Sequence, residues 1–460
     1  MSVFDGLLSG GILDYMLKRG LKRIHFVGVL GAGMLPLAKL CVSLGYKVSG
    51  SDARAGEFEI DLGFEVTEHR QGLLTGVELV VVSFAIPTNT PEMLDAKAQN
   101  IPIISRSQLL GELMKGYNRR IGISGSHGKS TTTALIDKIL YLGGVSPTTV
   151  PGAKLFDGCD VRIGEREALV YEACEYRDAF LNFYPSLQVI TGIELDHTDY
   201  FADIDVLRHS FLLSAERADE AVILNADFDR SDEFAKALSR PCITYGRSQK
   251  ADYRYVIEEK LDSCYRFCIL RRGEVLLEAS TTLIGEYNLS NITAAAAVAD
   301  TLGVDCDTIA RAIGEFHGIE RRMSRIGRLS ESEIFYDYAH HPTEISAAIR
   351  AVRERYDACT VVFMPHTYSR TKSLWGEFIS ALSQSDFTIL LDIYPAREQP
   401  IENVTSQKLA ASIGECAIYT TAQGALSNIL LHRFPVVVLM GAGNMDDLIE
   451  MIKKSDTFYE

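Results

Sequence analysis

A glycine-rich stretch early in the chain limits the possible folds more than any other feature. Residues 119–133 pass from an apolar run into Gly-Ser-His-Gly-Lys-Ser-Thr-Thr-Thr and then into a helical pattern. This order predicts a strand, a tight turn and a helix start, where backbone N–H groups converge and the helix dipole favours an anion. The stretch therefore predicts a phosphate-binding loop in an α/β domain.

The side chains of this loop have the chemistry that nucleoside triphosphates require. Lys129 would reach the outer phosphates, and the Ser130 hydroxyl would bind Mg²⁺. The match is incomplete, because Ile123 occupies the place of the first glycine of the general pattern. A glycine turn followed by a polar helix cap is the alternative. The predicted nucleotide-binding residues of the loop are Gly125, Ser126, His127, Gly128, Lys129, Ser130 and Thr131.

Length and composition limit the class of protein. With 460 residues, of which 47% are hydrophobic and 23% charged, the chain should form two or three globular domains. Nine irregularly spaced cysteines predict a reducing compartment, here the cytoplasm. A net charge of −15 disfavours nucleic acid as a partner. No apolar run is long enough for a membrane span, and residues 1–20 have the pattern of an amphipathic helix rather than a signal peptide.

Residues 24–52 predict a βαβ unit with a glycine turn at residues 28–33. The second strand ends on Asp52, and an acid in this position after the glycines is typical of a dinucleotide fold. Pro36 stands where the third glycine of that fingerprint belongs, so the turn supports a nicotinamide cofactor only weakly. Two further strands complete a small parallel sheet, and Asn118 marks the predicted end of this domain.

Two later strands end next to an acid or a histidine. Residues 168–171 lead to Glu172, and residues 187–191 lead to a segment that contains His197. Open α/β sheets bind ligands beyond the carboxyl ends of their strands, so Glu172 and His197 are predicted metal ligands beside the phosphates. Helix capping is the alternative role for the acid. Residues 242–283 alternate apolar and polar side chains, which predicts antiparallel strands at one edge of the sheet.

Polar side chains also fall at predicted helix starts and strand ends in the last part of the chain. Asn288 and Asn291 share the first turn of an alanine-rich helix, where they could cap the helix or bind a purine edge. After residue 323, strands alternate with helices again, which predicts a parallel sheet. His341 directly precedes Pro342, and we expect it to be structural. The titratable residues at the predicted carboxyl edge are His340, His341, His366, Arg370 and Arg397.

Together these motifs resemble the Mur ligase family, most closely its alanine-adding branch. The likeness extends from Ile24 to about Asp446, and its most specific motif is Asp-Tyr-Ala-His-His-Pro-Thr-Glu-Ile at residues 337–345. The resemblance implies an α/β protein of three domains. These are a UDP-sugar-binding Rossmann-like domain (residues 1–118), a central P-loop ATPase-like domain with a mixed sheet (119–323) and a C-terminal Rossmann-like domain that binds an amino acid (324–460).

The resemblance also implies a role for each predicted site residue. The UDP-sugar would be bound by Gly28, Gly31, Ala32, Gly33, Met34, Ser51 and Asp52. Lys129 and Ser130 would bind the ATP phosphates and one Mg²⁺ (or Mn²⁺), and Glu172 and His197 would bind a second metal ion. The rest of the ATP molecule would contact Asn288, Asn291, Arg322 and Asp337. The amino acid and the transferring phosphate would lie against His340, His366 and Arg370.

The activity implied by the resemblance is ATP-dependent amide-bond formation in peptidoglycan precursor synthesis. ATP would convert the carboxylate of UDP-N-acetylmuramate into an acyl phosphate, which the amine of L-alanine then attacks. That amine must be neutral, and His340 or His366 could accept its proton. We expect a monomer or a homodimer without a nucleic-acid or membrane partner.

The sequence departs from the usual family pattern at several positions, and these departures leave alternatives open. Thr367 stands where an arginine often binds the amino-acid carboxylate. The other departures are Ser130 for threonine, Gly192 for asparagine, Tyr287 for histidine and the less acidic run Cys174-Glu175-Tyr176-Arg177. One alternative is a recycling ligase that attaches a tripeptide to the same sugar. Another is a regulatory paralogue that binds ATP without ligating.

Overall fold

Strands that alternate with helices form three separate β-sheets in the computed structural model of the chain. The structure describes residues 20–57, 62–84, 86–197, 200–261, 264–396, 398–443 and 445–459. The helix predicted for residues 1–20 lies outside the described residues apart from Gly20, and Arg397 lies outside them as well. The predicted α/β class is confirmed.

The first sheet is parallel and has the strand order β3-β2-β1-β4-β5. Its strands are β1 (Arg23–Val27), β2 (Lys47–Ser51), β3 (Glu65–Thr67), β4 (Leu79–Val82) and β5 (Ile103–Ser105). The connecting helices are α1 (Met34–Ser43), α2 (Pro91–Ala98) and α3 (Arg106–Leu113), with short 3-10 turns at Ala55–Glu57 and Met114–Gly116. The strand order changes direction at β1, so the glycine turn that follows β1 lies where open sheets of this type bind ligands.

The second sheet has nine strands in the order β14-β13-β12-β11-β10-β9-β6-β8-β7. Its strands are β6 (Arg119–Ser124), β7 (Thr148–Val150), β8 (Ala168–Glu172), β9 (Leu187–Ile190), β10 (Ala221–Asn225), β11 (Cys242–Gly246), β12 (Tyr253–Lys260), β13 (Tyr265–Arg271) and β14 (Glu274–Thr281). Its helices are α4 (Lys129–Leu142), α5 (Ile204–Ala215), α6 (Ser231–Ala237), α7 (Tyr287–Thr301) and α8 (Cys306–Gly314), with a 3-10 segment at Tyr176–Asn182.

One prediction about this sheet is wrong in part. Residues 242–283 form strands at the expected edge, but β11 and β12 pair in parallel, with Tyr245 opposite Tyr253 and Gly246 opposite Arg254. The alternation of apolar and polar residues does not indicate whether neighbouring strands are parallel or antiparallel. Either direction leaves the same side chains on each face of the sheet.

The third sheet has the order β19-β18-β17-β20-β16-β15-β21. Its strands are β15 (Ser324–Leu329), β16 (Ser332–Asp337), β17 (Thr360–Phe363), β18 (Phe387–Leu390), β19 (Ala417–Tyr419), β20 (Val436–Met440) and β21 (Phe458–Tyr459). Its helices are α9 (Pro342–Arg353), α10 (Tyr368–Ser373), α11 (Trp375–Leu382), α12 (Ser406–Ile413), α13 (Ala422–His432) and α14 (Asp446–Lys453). The strands from β19 to β16 are parallel, and β15 is antiparallel to both of its neighbours.

The chain divides into two compact units. The first unit comprises residues 1–256, 267–279 and 290–316, and the second comprises residues 257–266, 280–289 and 317–460. The boundaries of the three predicted domains remain a prediction. Among the described helices, none is both long and apolar enough to cross a membrane.

The first two sheets share one apolar cluster within the first unit. It includes Leu40 of α1, Leu110 of α3, Phe180 of the 3-10 segment and Phe211 of α5, all of them buried. Helix α3 approaches the 3-10 segment closely at Gly111, where an added Cβ would lie 2.1 Å from the carbonyl oxygen of Asn182. No side chain fits there, because backbone atoms fill the space on the other side.

Replacing Gly111 with valine should therefore destabilise the protein. We expect the Gly111→Val variant to lose about 1–3 kcal/mol in the free energy of unfolding, because the side chain would force α3 away from the 3-10 segment. Urea unfolding followed by circular dichroism measures this loss. The control is Gly376→Val in α11, where an added Cβ meets nothing within 4 Å. Equal midpoints for the two variants would contradict the packing argument.

Candidate active site

Three parallel strands bring the predicted phosphate loop and its neighbours to one edge of the second sheet. Strand β6 lies between β8 and β9. In this register Ile123 pairs with Glu172, and Ser124 pairs with Ile190. Since parallel strands have their carboxyl ends at the same edge, the three segments that follow β6, β8 and β9 lie together there.

The loop between β6 and α4 needs glycine at two positions. Gly125 has φ +132° and Gly128 has φ +81°, which are values that other residues adopt only with strain. A Cβ at Gly125 would lie 2.1 Å from Thr191 Oγ1, and one at Gly128 would lie 2.3 Å from the Asn291 side-chain oxygen. Both glycines therefore allow a backbone turn and a close contact that a side chain would block.

The segment after β9 holds the loop in place. Ser126 donates its backbone N–H to the Gly192 carbonyl at 3.0 Å. The Ser126 hydroxyl donates to the Glu194 carbonyl at 2.8 Å and accepts from the Glu194 N–H at 2.9 Å. His127 Nε2 lies 3.3 Å from a Glu194 carboxylate oxygen. The loop is thus pre-formed by side-chain and backbone contacts with the neighbouring strand connection.

Lys129, the first residue of α4, forms an ion pair with a buried carboxylate. Its ammonium donates to the two Glu175 oxygens at 3.3 and 3.2 Å, and also to the Gly125 carbonyl inside the loop. Burial alone would lower the pKa of Lys129, but the carboxylates of Glu175 and Glu172 act in the opposite direction and raise it above its usual value. Lys129 is therefore held as a cation beside the loop, where an outer phosphate would lie.

The predicted metal ligands lie around this ion pair. Ser130 is in the first turn of α4 and is almost fully buried. Glu172 ends β8, and its carboxylate accepts from the Gly152 N–H at 2.7 Å. His197 Nε2 lies 3.8 Å from a Glu175 oxygen, and its ring packs against Tyr176 with centroids 4.7 Å apart. Within the described part of the chain, no three His, Cys, Asp or Glu side chains form a group that could hold a metal ion.

The Ser130 hydroxyl nevertheless suits one Mg²⁺ ion, and the Glu172 carboxylate with the His197 imidazole suits a second, if phosphate oxygens provide most of the ligands. Mg²⁺ in nucleotide sites keeps several water molecules and takes one or two protein ligands, so it does not need a closed cage of side chains. Ser130 and Glu172 provide hard oxygen atoms of this kind. The donor set therefore fits the predicted cofactor, and the ligand roles remain predictions.

The predicted adenine and ribose residues have local partners. Asn288 donates its amide to the Ile284 carbonyl at 2.8 Å, and Asn291 accepts from the Thr132 hydroxyl at 3.4 Å. Asp337 ends β16 and accepts from the Met323 and Ala339 N–H groups at 2.8 and 2.7 Å. Burial raises the pKa of Asp337 to about 6, although the nearby Arg322 guanidinium acts to lower it. These hydrogen bonds join residues of the protein to each other, and the predicted binding of ATP by Asn288, Asn291 and Asp337 stays a prediction.

Arg322 lies in the same neighbourhood as Asp337. Its guanidinium is 5.2 Å from the centre of the Tyr338 ring and 4.0 Å from a Glu344 oxygen. A planar cation stacked on an aromatic ring keeps its N–H groups directed outward. This geometry suits the predicted contact with a phosphate.

The glycine turn after β1 is fixed by the end of β2. Gly28, with φ +77°, donates its N–H to the Ser51 carbonyl at 2.7 Å. The Asp52 carboxylate accepts from the Leu30 N–H at 3.0 Å and from the Arg54 N–H at 3.0 Å. Asp52 therefore orders the turn itself. The remaining predicted UDP-sugar residues, Gly31, Ala32, Gly33 and Met34, form the end of the turn and the start of α1.

A second group of predicted residues lies at the carboxyl edge of the third sheet. His340 Nδ1 lies 2.9 Å from the Tyr338 carbonyl, which can only accept, so Nδ1 carries the proton and Nε2 does not in the neutral ring. His341 caps α9 together with Glu344, which confirms that its role is structural. The rings of His340 and His366 have centroids 6.0 Å apart.

His366 is held by a contact that the sequence did not indicate. Its ring stacks on Tyr394 with centroids 5.6 Å apart and planes 23° apart. Burial lowers the pKa of His366 to about 4, and the neighbouring His340 and Arg370 add to this effect. Its Nδ1 is buried and has no hydrogen-bond partner among the described residues. His366 is therefore neutral at physiological pH, as a proton acceptor must be.

Sequence reasoning did not identify Glu175 and Tyr394 as site residues. Glu175 stood in the sequence only as part of a run that departs from the family pattern, and its pairing with Lys129 joins residues 46 positions apart. Glu175 follows Glu172 by three residues beyond the end of the same strand, and this position could have indicated a place in the site. Tyr394 gave no comparable signal.

Most of the chain is similar to proteins of one family. The family models for the Mur ligase catalytic domain, the Mur ligase middle domain and the Mur ligase glutamate ligase domain match residues 23–118, 123–299 and 321–443. The UDP-N-acetylmuramate–L-alanine ligase of Agathobacter rectalis is 36% identical over 449 residues, which cover 94% of this chain and 97% of that protein.

Two solved structures share the fold. The UDP-N-acetylmuramate-alanine ligase MurC of Thermotoga maritima matches with a TM-score of 0.78 at 24% identity, over 94% of this chain and 98% of that one. A murein peptide ligase from Psychrobacter arcticus matches with a TM-score of 0.70 at 20% identity, over the same 94% and 98%.

The buried His366 predicts a measurable pH dependence of stability. Its pKa is about 4 in the folded protein instead of 6.5, so the unfolded chain binds more protons between these values and stability falls as the pH is lowered through them. His366→Asn should remove this component and reduce the loss between pH 6.5 and pH 4 by up to about 3 kcal/mol. Urea unfolding at a series of pH values tests this.

The exposed His209 of α5 provides the control for this titration. The His209→Asn variant keeps the buried imidazole of His366. It should therefore lose as much free energy of unfolding at low pH as the original protein. An identical pH dependence for His366→Asn and the original protein would show that the ring is not shielded as the structure indicates.

Proposed function

Because the chain belongs to the Mur ligase family, we propose that it is an ATP-dependent ligase that joins L-alanine to the carboxylate of UDP-N-acetylmuramate in peptidoglycan precursor synthesis. The substrate assignment follows the relatives that share about a third of its residues over nearly the whole chain. The observation that carries the proposal in the structure is the pre-formed loop whose Lys129 is held at the carboxyl ends of β6, β8 and β9.

The first step is activation of the sugar carboxylate. A carboxylate does not react with an amine, so its oxygen first attacks the terminal phosphorus of ATP and forms an acyl phosphate with release of ADP. The Lys129 ammonium and the loop N–H groups stabilise the negative charge on the transferring phosphoryl group. When ATP binds, its phosphates compete with Glu175 for Lys129.

Mg²⁺ supplies further charge neutralisation at the phosphates when it is bound. Ser130 would hold one ion, and Glu172 and His197 would hold a second. The Glu172 carboxylate is oriented by the Gly152 N–H, and His197 is oriented by its packing against Tyr176.

The second step is attack by the amine of L-alanine on the acyl phosphate, which forms the amide and releases phosphate. An ammonium must first lose a proton, and either His340 or His366 accepts it. In the neutral ring of His340 the accepting nitrogen is Nε2, because Nδ1 donates to the Tyr338 carbonyl. The neutral, buried His366 favours an uncharged amine beside it. Arg370, the third predicted residue of this group, provides a cation for the amino-acid carboxylate.

The remaining assignments are part of the same proposal. We assign ATP and Mg²⁺ (or Mn²⁺) as cofactors, the cytoplasm as the compartment and a monomer or homodimer as the assembly. Neither nucleic acid nor a membrane is an expected partner.

The decisive test of the activity is phosphate release. The purified protein should release phosphate when it is given ATP, Mg²⁺, UDP-N-acetylmuramate and L-alanine, and omission of any one of these should stop the reaction. L-Serine, glycine and the tripeptide L-alanyl-γ-D-glutamyl-meso-diaminopimelate form the comparison panel. Faster release with the tripeptide would assign the recycling activity instead, and no release with any amine would favour a regulatory protein.

A single substitution tests the role of the phosphate loop. Lys129→Ala should reduce turnover by at least about 100-fold, because a charge that acts on the transferring phosphoryl group contributes about 3 kcal/mol or more. Binding of UDP-N-acetylmuramate, measured by calorimetry, should change little. Lys250→Ala removes an exposed lysine of the same unit and serves as the control. Near-normal turnover of Lys129→Ala would refute the loop assignment.

A further inference from the structure

The 3-10 segment at Tyr176–Asn182 bends at Arg177 and Asp178. Both residues have a left-handed backbone, with φ of +53° and +55°, although neither is glycine. This conformation is costly for a residue with a side chain, and proteins keep it where the surrounding structure holds it, often at functional sites. The bend begins two residues after Glu175, the partner of Lys129, and therefore lies beside the candidate active site.

The bend places Tyr176 and Asp178 against the segment that follows β9. The Tyr176 ring packs against the His197 ring with centroids 4.7 Å apart, and its centroid lies 6.4 Å from that of the Tyr200 ring. The Asp178 carboxylate accepts a hydrogen bond from the Tyr200 hydroxyl at 2.6 Å. Side chains on both sides of the bend therefore join the segment after β8 to the segment after β9.

The Asp178 carboxylate is itself anchored to a helix. Its other oxygen accepts a hydrogen bond from the Ser210 hydroxyl of α5. Helix α5 packs into the core through the next residue, Phe211, whose ring meets the Phe180 ring edge-on with centroids 5.1 Å apart. A side chain that is fixed by a packed helix can hold a second side chain in one geometry. The carboxylate therefore holds the tyrosine hydroxyl from a fixed position.

Tyr200 in turn supports the backbone of His197. The Tyr200 N–H donates to the His197 carbonyl at 2.8 Å, and the Phe201 N–H donates to the same carbonyl at 3.0 Å. His197 has a left-handed backbone as well, with φ +53°, so its conformation also depends on support from its neighbours. A shift of Tyr200 would therefore move the imidazole relative to Glu172, the other predicted ligand of the same ion.

We propose that Asp178 is a positioning residue that acts through Tyr200 to hold His197. In the conformation that is held, the imidazole binds the second Mg²⁺ ion beside Glu172. This inference rests on the proposed function, which assigns that ion to Glu172 and His197. Metal-binding histidines depend on partners outside the ligand shell that fix the direction of the ring, and the loss of such a partner costs about 10- to 100-fold in metal affinity.

Binding of Mn²⁺ tests this role without turnover. Electron paramagnetic resonance counts the Mn²⁺ ions that the protein binds in the presence of the non-hydrolysable ATP analogue AMP-PNP, and the proposed function predicts two. Tyr200→Phe removes only the hydroxyl. Asp178→Asn removes the charge with little change in size, and asparagine tolerates a left-handed backbone. The control is Tyr184→Phe, because Tyr184 is about as exposed as Tyr200 but precedes β9 at the end away from the site.

Tyr200→Phe and Asp178→Asn should each weaken binding of the second Mn²⁺ ion by about 10-fold, the lower end of the usual range, because Tyr200 is partly exposed. The first ion, which Ser130 would hold, should keep its affinity in both variants. Tyr184→Phe should bind both ions as the original protein does. If Asp178→Asn does not fold, the result for Tyr200→Phe decides the question.

A double variant shows whether the effect passes through His197. His197→Gln should itself weaken the second ion, and adding Tyr200→Phe to it should cause no further loss, because the side chain that is positioned is already absent. A further loss of about 10-fold in the double variant would show that Tyr200 acts independently of His197, which would overturn the inference.

The same measurements separate failure of the inference from failure of the proposed function. If His197→Gln weakens the second ion but Tyr200→Phe and Asp178→Asn leave it unchanged, the inference alone is overturned. If His197→Gln leaves both ions unchanged, or if the original protein binds fewer than two ions, the proposed metal role of His197 fails and the inference fails with it.

Discussion

The position of β6 between two parallel neighbours is the constraint on which the candidate site depends. Strands β8 and β9 pair with β6 in parallel, so the predicted phosphate loop, the Glu172–Glu175 segment and the Thr191–His197 segment all begin at one edge of the sheet. Each segment then stabilises another. Thr191 and Glu194 hold the loop, and Glu175 neutralises Lys129. Different pairing of the three strands would separate the cation from its carboxylates, although every residue would still be present.

Local patterns in the sequence predicted most of the fold and the position of the loop. Glycines and a lysine at the junction of a strand and a helix specify that turn almost by themselves, and the structure has β6 ending at Ser124 and α4 beginning at Lys129. The same holds for the glycine turn after β1 and for His341, whose place before Pro342 indicated a structural role that the structure shows to be a helix cap. These features depend on a few residues that are neighbours in the chain, so they can be predicted from one sequence.

Contacts between distant residues could not be predicted in the same way. The parallel pairing of β11 with β12, the ion pair of Lys129 with Glu175 and the stacking of His366 on Tyr394 each depend on how the sheet orders its strands. The low pKa of His366 has the same origin, since burial is its main cause. The alternation of apolar and polar residues and the spacing of motifs do not indicate which distant residues come into contact. The roles assigned to the site residues therefore remain hypotheses for solution experiments.

The apolar cluster that joins the first two sheets also determines how the chain can be divided. Leu40 and Leu110 on one side and Phe180 and Phe211 on the other are fully enclosed by each other's elements. A fragment beginning at residue 119 would expose the apolar side chains that pack against the removed residues, and exposed apolar patches promote association. Isolating the portion that forms the second sheet, for crystallisation or ligand screening, would therefore require that the residues before it stay attached.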